Sequence, residues 1–188
     1  MRTQAVILSN YGGPENFKDD VIDLPNVQED EVLIKVKATS FNPADKWVRT
    51  GAMLDFYPMD CPIVLGWDFA GEIIEVGADS AEWAVGDSVF GRLHAQKFGS
   101  YAHHVIVNKK YLAKKPKNLD YPQAAALALI GTTAYQALFD HAGLQTGEVV
   151  LIHGGAGGVG NMAVQLAKYT GATVIATAGT SDLAKYKI

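Results

Sequence analysis

Gly155, Gly157 and Gly160 stand in G-x-G-x-x-G spacing within the run Val149-Val150-Leu151-Ile152-His153-Gly154-Gly155-Ala156-Gly157-Gly158-Val159-Gly160. This spacing suits a backbone that must cradle phosphate. Gly155 would make a tight turn, Gly157 would let the chain approach a pyrophosphate, and Gly160 would allow close helix–strand contact. A helix starting there adds unpaired N–H groups and a positive dipole end. The context supports the motif: an apolar strand precedes it, and a helix with Val159, Ala163, Leu166 and Thr170 on one face follows. A second apolar strand, Thr173 to Thr177, comes next. We therefore expect Gly155, Ala156, Gly157, Gly158, Val159 and Gly160 to hold a dinucleotide.

The end of that second strand bears on which dinucleotide. A carboxylate about 20 positions past the glycines would hold the ribose 2′-hydroxyl of NAD. Here the chain reads Thr177-Ala178-Gly179-Thr180-Ser181, and no acid appears until Asp182. The missing acid removes repulsion against a 2′-phosphate. Thr180 and Ser181 can donate hydrogen bonds to it, and Lys185 can add charge, so NADPH is favoured. Thr180, Ser181 and Asp182 also read as a helix cap, and both readings can hold at once.

The length and composition around these residues fit a globular chain with a real core. The chain has 188 residues, 48% of them hydrophobic, enough for one large domain or two small ones. A net charge of −4 gives no reason to expect nucleic acid or an anionic membrane as partner. Cys61 is the one cysteine, so neither an internal disulfide nor a cysteine zinc cluster can form, which suits a reducing, cytoplasmic setting. The apolar stretch at the N-terminus is too short for a signal peptide. The stretch from Ala124 to Phe139, interrupted by Gly131, Thr132, Thr133 and Gln136, falls short of a membrane span.

Short strands separated by glycine turns fill roughly the first 115 residues. Glu31 to Ala38 alternates, with Val32, Ile34, Val36 and Ala38 on one face and Lys35 and Lys37 on the other; Phe69–Gly77, Ser88–Gly91 and Tyr101–Val107 follow as strands. After Pro116 the pattern becomes helix, strand, glycine loop, helix, strand. We expect an α/β plus β chain with domains at residues 1–120 and 121–188.

Several segments in this order resemble one family. They are Asn42-Pro43-Ala44-Asp45, Gly66-Trp67-Asp68-Phe69-Ala70-Gly71 with Val76-Gly77, Val85-Gly86-Asp87-Ser88-Val89, Gly99-Ser100-Tyr101-Ala102, Gly131-Thr132-Thr133-Ala134-Tyr135, and Ala156-Gly157-Gly158-Val159-Gly160 with Gln165-Leu166-Ala167-Lys168. Together they resemble the medium-chain dehydrogenase/reductase superfamily, within it the zinc-free quinone oxidoreductase (zeta-crystallin-like) branch. The resemblance implies a GroES-like β-barrel domain, then the first part of a Rossmann doubly wound parallel sheet, with a cofactor cleft between them.

Zinc-dependent members of that superfamily carry a metal-binding cysteine where Asn42 stands and a metal-binding histidine where Trp67 stands. Neither Asn nor Trp is a competent catalytic zinc ligand. His103 and His104 are neighbours in a strand and point to opposite faces, and His153 is expected to pack beneath the glycine loop. No metal site is expected. The resemblance then implies direct hydride transfer from NADPH to a small quinone or enone, the protein supplying proximity, orientation and a dry cleft. It places Asn42 near the nicotinamide and Thr132 beside the cofactor as positioning residues. Asp45 would organise the same loop. Trp47, Phe56 and Tyr57 read either as walls of an aromatic pocket or as packing. With no evident proton donor, bulk water is the expected source.

Two other functions fit the same residues: a zinc-free enoyl reductase acting on thioesters, and a non-catalytic nucleotide- or partner-binding fragment. The resemblance implies six Rossmann strands where two are readable, and a lysine at the position of Leu183. An incomplete form of a reductase is therefore expected. A homodimer would form through later Rossmann strands.

Overall fold

The computed structural model describes residues 1–56, 58–94 and 99–183. The chain divides into two compact units, Met1–Ala128 and Leu129–Ile188.

In the first unit, strands β1 (Arg2–Leu8), β2 (Phe17–Asp23) and β4 (Ile63–Val64) form an antiparallel sheet in the order β2-β1-β4. A second antiparallel sheet has the order β7-β3-β5-β6-β8, built from β3 (Glu31–Ala38), β5 (Asp68–Val76), β6 (Ser88–Arg92), β7 (His104–Asn108) and β8 (Leu112–Lys114). The core lies on Leu8, Ile34, Leu65, Phe69, Ile73, Val89 and Val107, all essentially without solvent contact.

Strand β3 departs from simple alternation. Val32, Leu33 and Ile34 are all buried, because the pairing with β5 shifts register between Leu33 and Ile34. Such a bulge re-aims the side chains on either side of it. Lys35 and Lys37 remain exposed, as the pattern predicts.

The strand expected at Tyr101–Val107 starts later, at His104. Its first residues pair with the other sheet instead: Ala102 bridges Ala5, Val6 N–H donates to the Tyr101 carbonyl at 2.8 Å, and His103 N–H donates to the Gln4 carbonyl at 2.9 Å. The chain thus changes sheets within three residues, and hydrophobic period alone does not report such a change.

Helix α1 (Pro43–Arg49) starts with proline at its first turn, where a missing N–H removes no bond. Helix α2 (Tyr121–Tyr135) leads the chain into the second unit and continues as a π-helical turn, Gln136–His141. In that unit β9 (Val149–Ile152) and β10 (Thr173–Ala176) run parallel, with Val149 opposite Thr173 and Ile152 opposite Ala176. Helix α3 (Gly158–Tyr169) connects them. Ala163 and Ala167 are buried, Leu166 packs against that core, and Val159, in the first turn, is exposed. Ile152 turns toward this core. The alternate residues Val149, Leu151 and Ile175 are 66%, 55% and 55% exposed. Helix α4 (Thr180–Leu183) follows β10.

Candidate functional site

In the first unit the candidate residues gather around the start of α1. Asn42 is the residue before the helix, and its backbone N–H donates to Asp45 Oδ2 at 2.7 Å. The Asp45 N–H turns back to the Asn42 carbonyl at 2.9 Å. The Asn42 side-chain Nδ2 donates to Asp68 Oδ2 at 2.8 Å. The Ser40 hydroxyl donates to the same carboxylate oxygen. Thr39 Oγ1 donates to the Asp68 backbone carbonyl at 2.7 Å and lies 2.9 Å from Ser100 Oγ. Asn42, Asp45, Asp68 and Ser100 are all buried. Asp68 opens β5 and so fixes this loop to the sheet.

Burial pushes the Asp45 carboxyl above its usual range, and the nearby charge of Asp68 adds to the effect. The Asn42 N–H and the Tyr101 side chain oppose it. Burial likewise raises the Tyr101 phenol, helped by the charge of Asp45, so Tyr101 stays protonated. The sequence motifs contain Asp68 and Ser100 but give neither a role, and they do not include Thr39 or Ser40. The signal was a buried-strand acid beside Trp67, which is itself buried. Trp47 and Phe56 are 54% and 74% exposed, so neither is core packing. Tyr57 lies outside the described residues.

The second unit holds the glycine loop. The left-handed turn falls on Gly154, with φ +68°, one residue earlier than the spacing implied. Gly155 instead faces Ala176, where a Cβ would come to 2.9 Å from that side chain. A Cβ at Gly160 would run into the Gly154 carbonyl oxygen, so the third glycine serves the loop's contact with its own helix. Gly157 N–H donates to the Gly154 carbonyl at 2.9 Å, closing the turn. Gly157, Gly158 and Val159 are exposed at the start of the twelve-residue α3. Ala156 lies half-buried between them and Gly155. The first N–H groups of a helix lack intrahelical partners, so the start of α3 is where a pyrophosphate could be held.

His153 does not pack beneath the loop. It is exposed, with Nδ1 3.3 Å from Thr177 Oγ1, because it lies on the sheet face opposite α3. Ala178 is half-buried, Gly179 and Thr180 are exposed, and the Asp182 N–H donates to the Gly179 carbonyl at 2.9 Å. Ser181 lies in α4. Lys185 lies outside the described residues. Thr132 is exposed in the last turns of α2 and donates its hydroxyl to the Leu129 carbonyl at 3.0 Å; Thr133 does the same at 2.8 Å. Among the described residues, no three His, Cys, Asp or Glu side chains gather as metal ligands would. None of the described helices is long and apolar enough to cross a membrane.

Comparison with known proteins agrees with this architecture. The family model for the alcohol dehydrogenase GroES-like domain matches residues 28–117. A 2-methylene-furan-3-one reductase of Solanum lycopersicum is 40% identical over 186 residues, covering 93% of this chain and 47% of that protein. An Arabidopsis thaliana NADPH-dependent alkenal/one oxidoreductase, chloroplastic, is 39% identical over 191 residues, covering 96% and 48%. The chain thus spans about half the length of the curated relatives it matches. The structure of the quinone oxidoreductase from Coxiella burnetii superposes with a TM-score of 0.87 at 38% identity, over 98% of this chain and 59% of that one. The chain belongs to the medium-chain dehydrogenase/reductase superfamily, as a GroES-like domain followed by the start of a Rossmann-like parallel sheet.

Proposed function

We propose that the protein is an NADPH-dependent reductase that delivers hydride to a quinone or to an α,β-unsaturated carbonyl compound without a metal ion. The observation carrying this reading is the glycine cradle beside a strand end that carries no acid from Thr177 to Ser181. The names of the tomato and Arabidopsis relatives support the acceptor class and the cofactor.

NADPH, when bound, supplies the hydride. The first N–H groups of α3, presented by the Gly155–Gly160 loop, hold its pyrophosphate. Ala178, Gly179, Thr180, Ser181 and Lys185 serve its 2′-phosphate, and Thr177 serves the glycine loop. Asn42 and Thr132 orient the reactants, and Asp45 holds Asn42 in place. Residues 1–120 serve as the substrate domain and 121–188 as the cofactor domain. The donor chemistry supports metal-free transfer: Asn42 engages Asp68 through its amide nitrogen, and Trp67 offers an indole N–H where a ligand would need a lone pair. The net charge of −4 agrees with a small-molecule acceptor rather than nucleic acid. A cytoplasmic homodimer completes the reading.

The test is NADPH and NADH oxidation by the protein with benzoquinone, a simple enone and an enoyl thioester, with and without chelator. Turnover with the first two acceptors, faster with NADPH and unchanged by chelator, is expected. Dependence on zinc, a preference for the thioester, or no turnover with any acceptor overturns the proposal.

A further inference from the structure

Thr177 follows β10 directly and opens the run Thr177–Ser181 that the sequence sets beside the cofactor. Its polar groups are engaged elsewhere. The Thr177 N–H donates to the Ile152 carbonyl at 3.0 Å, and its own carbonyl accepts the Gly155 N–H at 2.8 Å. Its Oγ1 accepts the Gly154 N–H at 3.1 Å and lies 3.3 Å from His153 Nδ1. The Gly154 N–H is aimed at the hydroxyl oxygen, and the hydroxyl and His153 Nδ1 share a second hydrogen bond in which either can be the donor. One side chain ties together the end of β9, the left-handed Gly154 and the end of β10.

We propose that Thr177 is a positioning residue that sets the glycine loop. It thereby governs affinity for the pyrophosphate shared by both nicotinamide dinucleotides and does not choose between them. The proposal rests on the dinucleotide-binding reading above. It separates two roles that the sequence places side by side: Thr177 shapes the loop, while the exposed Thr180 is left to read the 2′-phosphate.

The experiment compares the full chain with its Thr177→Val, Thr177→Ala, Thr177→Ser and Thr180→Val variants by calorimetric titration with NADPH and with NADH. Thr177→Val keeps the shape and removes the hydroxyl. It should weaken both nucleotides by the same factor, about 3- to 10-fold, the usual range for one lost hydrogen bond. Thr177→Ala should match it, and Thr177→Ser should restore wild-type affinity. Thr180→Val should weaken NADPH alone. Loss of NADPH affinity without loss of NADH affinity in Thr177→Val would overturn the proposal, as would failure of serine to rescue. Hydrogen exchange at the Gly154 amide reads the brace without nucleotide: faster exchange in Thr177→Val than in wild type or Thr177→Ser is expected, and equal exchange also overturns it. A wild-type chain that binds neither nucleotide while keeping this exchange pattern would refute the dinucleotide reading but confirm the brace.

Discussion

Asn42 and Thr177 both hold polar atoms beside a candidate site, but in opposite surroundings. Asn42 is buried, with its amide on the Asp68 carboxylate and its backbone N–H on Asp45. Thr177 is exposed at the end of a two-stranded sheet whose outer residues Val149, Leu151 and Ile175 face water. In the first unit a hydrogen bond left unmade strands a buried group, so the network is rigid and all its members depend on one another. In the second, water can replace a lost partner. The geometry there is held by a few backbone staples and by a glycine, Gly160, whose missing Cβ leaves room for the loop.

The sharpest test of this contrast is a pair of identical truncations. Leu65→Ala in the first unit should lower stability by about 3 kcal/mol, because a fully buried leucine leaves a cavity. Leu151→Ala should cost less than about 0.5 kcal/mol in urea denaturation, as is usual for an exposed position. Equal costs would break the comparison and show that the Leu151 face is covered in solution.

Next in size is Gly160→Ala. Its Cβ would displace the Gly154 carbonyl, so affinity for NADPH should fall by at least about tenfold, or ~1.4 kcal/mol. The unfolding of the first unit should stay as in wild type. Wild-type affinity in a titration would mean that the loop is softer than its contacts imply.

The smallest effect concerns pH. The Asp45 carboxyl is raised from 3.8 by burial, so in the folded chain it keeps a proton that the unfolded chain releases. Its contribution to stability is therefore present below the unfolded value and falls as pH rises through the folded one. Asp45→Asn keeps an acceptor for the Asn42 N–H and removes the titration. Urea midpoints measured between about pH 4 and pH 7 should decline less with pH in the variant than in wild type. A steeper decline would place the proton elsewhere.

Local pattern made the glycine loop, its flanking strands and the exposed face of β3 legible in the sequence. Each depends on residues within a few positions of one another. The Asn42 network was not legible, because Ser40 and Asp68 are 28 residues apart, Thr39 and Ser100 are 61 apart, and only strand pairing brings them together. The bulge after Leu33 and the change of sheet at Ala102 were hidden for the same reason. His153 was misplaced because the side of a short parallel strand that meets its helix depends on register, and an uninterrupted apolar run carries no phase. The pair Gly154-Gly155 left open which residue takes the left-handed angle, since glycine adopts it at either place.

Those glycines also differ in how the sequence can drift. Gly154 needs only an angle: nothing lies within 4 Å of where its Cβ would stand, and asparagine reaches positive φ at modest cost. Gly160 needs an absence, because the space of its missing Cβ is already filled by a carbonyl from the same loop. Substitution can therefore pass through the first position and be compensated nearby. At the second, every side chain is one atom too many.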